Sequence, residues 1–383
     1  MQRKKILVAI DWYLPGYKAG GPIRSCANIV NQLKEYFDFC VITSDTDFSD
    51  HQPYPNIKSN AWNVLEDGTR VYYFSKDKLD YSSIEKVILD EKPDVVYMNS
   101  FFSRPFTLTP LKVLRKNKLN AKSIIAPRGM LGQGALAIKP LKKLAFISFS
   151  KMMGTYNLVR WHASTDQEAK EIKAIFGNHA NVHVALNLSS IRIATVETKN
   201  KNANQLNLVF FSRISRKKNL HLALEILAGV SSKYQINFGI YGTKEDDAYW
   251  QECEKLIKEL PSHIKASYEG VVPSDRIPAV FKSYHFSILP TMHENYGHSI
   301  VESFACGVPV IISTNTPWQN LAQLKAGWEF DLSDQQKFLT AIEQAAAMGD
   351  EEFSLWQKGS VDLATKVLNN NDTVTQNKLL FER

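Results

Sequence analysis

Two glutamates late in the chain have the residue type and the spacing to share one ligand. Glu294 follows an apolar strand, and Glu302 comes eight residues later, inside a helix predicted to run from near Gly297 to Gly307. Helical side chains lean toward the N-terminal end of their helix, so the two carboxylates are expected to converge on one cleft. The amide groups and the positive dipole at that helix N-terminus suit a phosphate group. The alternative is an exposed loop acid and an unrelated acid on the helix surface.

A cluster of cations follows the first strand in the second half of the chain. Residues 212–219 read SRISRKKN, at a point where a strand passes into a helix. Arginine and lysine at the carboxyl end of a strand, beside a helix N-terminus, can clamp a diphosphate. We expect Arg216 and Lys217 to face solvent.

Composition restricts the classes of protein that can carry such a site. The 383 residues are 44% apolar and 22% charged, as in an ordinary globular protein. The four cysteines form no CxxC or Cys/His cluster, which favours reduced thiols and argues against a zinc site. The apolar run Ile6–Ile10 is too short for a secretory signal, and no stretch reaches the ~18 apolar residues of a membrane span. We therefore expect a cytoplasmic protein without a zinc site.

Charge is distributed unevenly along the chain. Residues 1–195 carry 27 Lys and Arg against 17 Asp and Glu, a net +10, whereas residues 196–383 carry 19 against 22, a net −3. Residues 95–165 contain twelve basic residues and no acidic one. Such a segment favours an anionic partner, either a membrane surface, a nucleic acid or a phosphorylated substrate. Nucleic acid is not expected, because no known binding motif is present. A solvated basic face without a partner is the alternative.

The elements that must position these residues follow an alternating pattern. Short β-rich runs alternate with helical patterns in both halves, which predicts α/β domains with parallel sheets covered by helices on both faces. The predicted strands are Ile6–Ile10, Phe39–Thr43, Val71–Phe74, Val95–Met98, Ser123–Ala126, Arg160–Ala163, Val182–Ala185, Leu208–Phe211, Ile236–Tyr241, Ala266–Tyr268, Phe286–Leu289 and Val308–Ile312. A helix is also predicted at Pro317–Lys325.

The polar segment 196–206 divides the chain into two doubly wound domains. We predict a first domain over residues 1–195, a linker over 196–206 and a second domain over 207–370. The tail over 371–383 is predicted to pack back on the first domain. Ligands of such domains bind at the carboxyl ends of the parallel strands.

These motifs together resemble the retaining GT-B glycosyltransferases of family 4. The resemblance rests on Glu294 and Glu302 followed by the sequence ACGVPVI, and on Arg213 and Lys218 five residues apart. It extends over nearly the whole chain, because five further segments are similar: Gly20-Gly21-Pro22, Ala126–Gly129, Tyr268–Pro273, Thr316-Pro317-Trp318 and Gly327-Trp328. It implies two Rossmann-like domains that face each other across a cleft.

The resemblance also implies a role for each matching residue. Glu294 would contact the hydroxyls of a donor sugar, Glu302 its ribose, and Arg213 with Lys218 its diphosphate, without a metal ion. The further donor-binding residues implied are Asn295, Tyr296, Gly297, His298, Ser299, Gly270 and Val271. The residues implied on the acceptor side are Gly20, Gly21 and Arg128.

The sequence departs from the family pattern at three positions outside these pairs. Arg128 stands where the family usually has histidine, Ser212 stands where it has glycine, and Asn187 begins an altered interdomain element. Arg128 is expected either to bind a phosphate or to form a structural ion pair.

The function implied is a retaining, metal-independent hexosyl transfer from a nucleotide diphosphate sugar to an acceptor hydroxyl. A lipid-linked or oligosaccharide acceptor is expected, as in the assembly of bacterial cell-surface polysaccharide or lipid-linked oligosaccharide. Two alternatives remain: a GT-B-fold nucleotide-sugar epimerase, and a non-enzymatic peripheral membrane protein. An epimerase would turn over a nucleotide sugar without any acceptor.

A basic and apolar segment suggests where a membrane would be contacted. Residues 134–151 mix Leu, Ile and Phe with Lys139, Lys142 and Lys143 at helical spacing. One interpretation is a surface helix resting on the anionic inner face of the cytoplasmic membrane. The other is a helix that buries its apolar face and turns its lysines to water.

Overall fold

The computed structural model describes residues 3–136, 140–189, 200–368 and 371–382. Contacts divide the chain into two compact units. The first unit comprises Met1–Ser190 together with Asn371–Arg383, and the second comprises Ile191–Asn370. Among the described residues, no helix is long and apolar enough to cross a membrane.

The described part of the first unit is built on one eight-stranded sheet. Its strands are β1 (Lys5–Ala9), β2 (Asp38–Ser44), β3 (Ala61–Val64), β4 (Arg70–Phe74), β5 (Val95–Met98), β6 (Lys122–Ile125), β7 (Val159–Ala163) and β8 (Val182–Val184). They lie side by side in the order β3-β4-β2-β1-β5-β6-β7-β8. The edge strand β3 runs antiparallel to β4, and the other neighbouring pairs are parallel. Central strands such as β5 are buried on both faces, as expected when helices cover a parallel sheet.

The connecting helices of the first unit are α1 (Gly21–Leu33), α2 (Tyr81–Glu91), α3 (Thr109–Lys116), α4 (Gln133–Leu136), α5 (Pro140–Met152) and α6 (Asp166–Phe176). Side-chain caps mark two of their beginnings. Asp80 accepts a hydrogen bond from the Ser83 amide before α2, and Thr165 accepts one from the Glu168 amide before α6. Each cap satisfies an amide that has no acceptor within its own helix.

The described part of the second unit holds a six-stranded parallel sheet. Its strands are β9 (Gln205–Phe211), β10 (Gln235–Tyr241), β11 (Ile264–Gly270), β12 (Phe286–Leu289), β13 (Val310–Ser313) and β14 (Gly327–Phe330), in the order β11-β10-β9-β12-β13-β14. Its helices are α7 (Leu220–Ala228), α8 (Asp247–Glu259), α9 (Ile277–Lys282), α10 (His298–Ala305), α11 (Gln335–Ala347) and α12 (Asp350–Leu368). The prediction of two doubly wound α/β domains is therefore confirmed.

The last helix, α13 (Asn371–Glu382), belongs to the first unit. Its residues Leu380 and Phe381 are fully buried. The Phe381 ring lies 5.5 Å from that of Phe37, 5.8 Å from that of Phe39 and 5.5 Å from that of Tyr97, measured between centroids. Contacts of this kind make α13 part of the core beneath β1, β2 and β5.

One predicted helix is absent, and two strands were missed. Residues 317–325 form turns instead of a helix, because Asn320 and Lys325 adopt left-handed backbone angles with φ of 60° and 52°. The Glu329 carboxylate accepts hydrogen bonds from the amides of Asn320 and Leu321 at 2.6 and 3.0 Å, which replaces helical bonding there. Strands β3 and β14 were not predicted.

The predicted linker 196–206 extends too far. Residues 196–199 lie outside the described residues, but Gln205 and Leu206 already form part of β9. Lys201 is buried, and its ammonium group donates to the carbonyls of Gln205, Ala346 and Met348 at 2.9–3.1 Å. These carbonyls take the place of water around the buried ammonium group. The segment is polar in sequence, but Lys201 makes an ordered contact with the end of α11.

Candidate functional site

The carboxyl ends of β9, β12 and β13 bring the predicted residues of the second unit together. β12 pairs in parallel with β9 on one side and with β13 on the other, so all three strands end at the same edge. Arg213 and Lys218 follow β9, and the loop that carries Glu294 follows β12. Parallel pairing thus places residues about 76 positions apart side by side.

Lys218 and Glu294 form an ion pair at this edge. The Lys218 ammonium donates a hydrogen bond to Glu294 Oε1, and the two side chains are only 10% and 13% exposed. Burial alone would raise the pKa of Glu294, but attraction to Lys218, supported by Lys217 and Arg213, holds that pKa below its usual value. Glu294 is therefore an ionised carboxylate at neutral pH, and an acceptor for hydroxyl groups.

Backbone contacts fix the loop that presents Glu294. The Lys217 carbonyl accepts hydrogen bonds from the Met292 amide at 2.8 Å and the Thr291 hydroxyl at 3.1 Å. The Glu294 amide donates to the Asn315 carbonyl at 2.9 Å. The loop is held from the β9 side and the β13 side, so the carboxylate is positioned before any ligand arrives.

The other predicted clamp residue also lies against a carboxylate. Arg213 forms an ion pair with Glu245, and both side chains are partly exposed. Arg216 is exposed and pairs with Glu252 on α8, as expected for a solvent-facing cation. Arg213 and Lys218 are thus each paired with a carboxylate.

The prediction that Lys217 faces solvent is wrong. The side chain is half-buried, and burial together with repulsion from Lys218 lowers its pKa to about 8. The sequence did not reveal this residue, because a run of three basic residues does not show which side chain faces solvent and which faces the protein. Its neighbour His293 has a pKa lowered to about 4, again by burial first and by Lys217 second.

Helix α10 begins beside this ion pair. Gly297 is its N-cap with φ 76°, and a Cβ atom there would lie 2.8 Å from the Ile300 side chain, so glycine is needed on both grounds. Asn295, His298 and Ser299 flank this helix start and are partly exposed. First-turn amides of a helix have no acceptor within it and favour anions.

Two of the predicted donor-binding residues have buried side chains. Glu302 on α10 is 6% exposed, and Tyr296 is 5% exposed. The Tyr296 carbonyl accepts a hydrogen bond from the Trp318 indole at 2.7 Å, and its ring packs edge-on against those of His298 and Trp318. Burial and the nearby Glu302 carboxylate raise the pKa of Tyr296. Tyr296 thus acts as packing beneath the loop.

Gly270 and Val271 lie at the carboxyl end of β11, two strands away from β9. Gly270 has φ 91°, and no atom would lie within 4 Å of a Cβ built on it. Its carbonyl accepts a hydrogen bond from the Gly242 amide at 2.9 Å, which fixes the turn. Space is therefore open beside the Gly270 backbone.

The acceptor-side residues lie at the carboxyl edge of the sheet in the first unit. Gly20 is the N-cap of α1 with φ 70° and open space around it, and Gly21 begins that helix. Arg128 follows β6 with φ 54°.

The Arg128 guanidinium is held by neutral groups. It donates to Asn99 Oδ1 and the Tyr97 hydroxyl at 2.6 Å, to the Ser164 hydroxyl at 3.0 Å, and to Asn187 Oδ1. The expectation of a structural ion pair is wrong, because none of the described carboxylates lies within ion-pair distance of Arg128. The side chain instead ties together the strand ends after β5, β6, β7 and β8.

Comparisons with known proteins agree with this architecture. Sucrose-phosphate synthase from Thermosynechococcus elongatus matches with a TM-score of 0.74 and 12% identity over 99% of this chain and 98% of that one. Anabaena Alr3699/HepE in complex with UDP and glucose matches with a TM-score of 0.72 and 14% identity over 99% of both chains. The fold is GT-B.

Sequence comparison points to the same class of GT-B proteins. Residues 192–354, less than half of the chain, match the model of the family described as glycosyl transferases group 1. An 84-residue segment is 32% identical to the O-antigen chain mannosyltransferase B of Escherichia coli. That segment is 22% of this chain and 21% of that protein. The match to the family model covers the whole Lys218–Glu294 site of this GT-B chain.

Proposed function

We propose that this protein is a retaining glycosyltransferase of family 4 that moves a hexosyl group from a nucleotide diphosphate sugar to an acceptor hydroxyl. The observation that carries the proposal is the Lys218–Glu294 ion pair at the carboxyl ends of β9 and β12. It lies beside the N-terminus of α10 and within the segment matched by the group 1 family model.

The charges of this site suit both halves of such a donor. An ionised Glu294 accepts hydrogen bonds from sugar hydroxyls, while Lys218, Arg213 and the α10 N-terminus attract the diphosphate. In the reaction, the bond from the anomeric carbon to the phosphate oxygen breaks, and a bond to the acceptor oxygen forms. The acceptor proton passes to the departing diphosphate. Cations and helix amides then stabilise the charge on that leaving group without a metal ion.

The acceptor is proposed to bind at the first unit, at the sheet edge that carries Gly20, Gly21 and Arg128. Similarity to an O-antigen chain mannosyltransferase supports a growing cell-surface polysaccharide or a lipid-linked oligosaccharide as acceptor. The buried Glu302 is proposed to contact the ribose, and Gly270 with Val271 the base.

The experiment that tests this function is a donor screen followed by transfer assays. UDP- and GDP-sugars are tested for binding by calorimetry, and the bound donors are incubated with lipid-linked acceptors in the presence of EDTA. We expect transfer with retained anomeric configuration, as read by NMR of the product. Conversion of the donor sugar without an acceptor, or complete dependence on added divalent metal, would contradict the proposal.

Glu294→Gln is expected to lower the transfer rate about 100-fold, because a neutral amide loses the charge-assisted hydrogen bonds to the sugar. Gln keeps the shape of the side chain next to Lys218, so the variant should fold. Glu252→Gln on the exposed face of α8 is the matched control and should transfer at the wild-type rate. Wild-type turnover by Glu294→Gln would refute the role of this carboxylate.

A further inference from the structure

Exposed apolar side chains concentrate in one segment of the first unit. Twelve large apolar residues are exposed among the described residues, and half of them lie between residues 141 and 158. Their exposed fractions range from 51% to 89%. We call this set the α5 surface; its members are Leu141, Leu144, Phe149, Met152, Met153 and Leu158. Clusters of this kind on a protein surface usually mark an interaction site.

The members on α5 form a stripe along one side of the helix. Successive helical positions are about 100° apart, so Leu141, Leu144, Phe149 and Met152 fall within an arc of about 140°. Lys142 and Lys151 are exposed and lie at the two borders of that arc. An apolar stripe bordered by lysines on both sides is typical of a helix that lies in the plane of a bilayer interface.

The opposite side of α5 anchors the helix to the core. Ile147 and Ser150 are buried there. The Phe146 ring lies 6.0 Å from that of Phe101 and 5.6 Å from that of Phe102. Helix α5 thus buries one apolar side, as the interpretation of a packed helix with solvated lysines requires, but it also exposes large apolar side chains on its outward side.

The lysines predicted to contact a membrane need one correction. Lys139 lies outside the described residues. Lys143 points to the anchored side, where its ammonium group donates to the Ala135 carbonyl at 2.5 Å and lies 5.5 Å from the centre of the Phe102 ring. Lys142 and Lys151 are the cations that border the stripe.

The α5 surface belongs to the basic part of the sequence. It lies within residues 95–165, which contain no acidic residue. The exposed Arg115 on α3 donates to the Gly154 carbonyl, so another cation adjoins the turn that carries Met153. Positive charge beside exposed apolar groups complements an anionic bilayer, where cations meet phosphates and apolar side chains enter the acyl boundary.

We propose that the α5 surface docks the protein on a bilayer that contains anionic lipid. Leu141, Phe149 and Met152 insert between the head groups, while Lys142, Lys151 and Arg115 contact lipid phosphates. This docking is independent of the sugar-transfer reaction, and its test uses no activity.

The experiment measures co-sedimentation of the full chain with vesicles. Phosphatidylglycerol mixed with phosphatidylcholine is compared with phosphatidylcholine alone, at 50 and 500 mM NaCl. We expect binding to the anionic vesicles at 50 mM NaCl and at least tenfold weaker binding to the neutral vesicles, which lack the lipid charge. At 500 mM NaCl, binding to the anionic vesicles should also weaken, because salt screens the attraction between lysines and lipid phosphates. A wild-type protein that ignores anionic vesicles at low salt would overturn the proposal.

Two variants separate the apolar and the electrostatic contributions. Phe149→Gln with Met152→Gln, and Lys142→Glu with Lys151→Glu, should each weaken binding to anionic vesicles about tenfold or more. Leu355→Gln on α12, which replaces an exposed leucine of the second unit, is the matched control and should bind as the wild type does. Circular dichroism checks that each variant is folded. Unchanged binding by both double variants would overturn the proposal, as would concentration-dependent dimers that the Phe149→Gln, Met152→Gln variant abolishes.

Discussion

The two sheets present cations at their carboxyl edges in contrasting ways. In the second unit, Lys218 lies against Glu294 and Arg213 lies against Glu245, so each cation is balanced by a carboxylate. In the first unit, Arg128 is held by amide and hydroxyl groups. A cation can exchange a carboxylate partner for a phosphate with little change in local charge. The Arg128 guanidinium, in contrast, cannot bind a new partner without breaking hydrogen bonds to the four neutral groups around it. The contrast indicates a ligand-responsive edge in the second unit and a positioning network in the first.

The largest effect is expected from removing one member of the buried pair. Lys218→Met leaves the Glu294 carboxylate buried without its cation, which should cost about 3 kcal/mol in the free energy of unfolding. It should also lower the transfer rate about 100-fold, since the leaving group loses a cation. Urea unfolding and transfer assays measure the two effects.

A second substitution sharpens this result. Lys218→Met combined with Glu294→Met removes both charges, so most of the lost stability should return while transfer stays low. If the double variant is no more stable than Lys218→Met alone, the ion pair is not the cause of the lost stability.

An intermediate effect is expected at Arg128. Arg128→Lys keeps the charge but cannot reproduce the planar fork, so at least one of Asn99, Tyr97 and Asn187 loses its partner. We expect a loss of about 2 kcal/mol in the free energy of unfolding, with the donor dissociation constant unchanged. Arg104→Lys, at an exposed position of the same unit, should leave stability unchanged. Equal stability of wild type and Arg128→Lys would contradict the positioning role.

The smallest effect is expected at Arg213, and Arg216, three residues later, serves as its comparison. Arg213→Ala should raise the donor dissociation constant roughly tenfold, because one of the diphosphate contacts is lost. Arg216→Ala should not change it, since Arg216 is exposed and pairs with Glu252 on α8. Calorimetric titration with the donor found in the screen distinguishes them. Equal effects of the two substitutions would mean that Arg213 acts only through the general charge of this edge.

The sequence predicts the elements of this fold where the pattern is strong. Val95–Met98 and Phe286–Leu289 have the predicted bounds, because short apolar runs there are followed directly by turn residues. β3 was missed because the sequence AWNV forms a partly exposed edge strand without an apolar run. Residues 317–325 have helical composition, yet Glu329 reaches them only after β14 has paired with β13.

The sequence predicted which residues belong to the site, but not which of them form ion pairs with one another. The resemblance to a known family singled out Glu294, Arg213 and Lys218, and their roles toward a ligand stay predictions. Which carboxylate faces which cation depends on β9 lying next to β12, a contact between distant parts of the chain. The same holds for Lys217, whose burial follows from the loop that its carbonyl anchors. Nothing in a local pattern carries that information.

The position of α13 has a consequence for the order in which the chain can fold during synthesis. Leu380 and Phe381 complete the core around Phe37, Phe39 and Tyr97, yet they are synthesised after every strand of the second unit. Domains generally fold as they leave the ribosome, the N-terminal one first. Here the sheet of the first unit is synthesised first, but its core stays incomplete until Phe381 has been made. Residues 205–368, by contrast, contain all the described strands of the second unit. The second unit is thus the first that can finish folding.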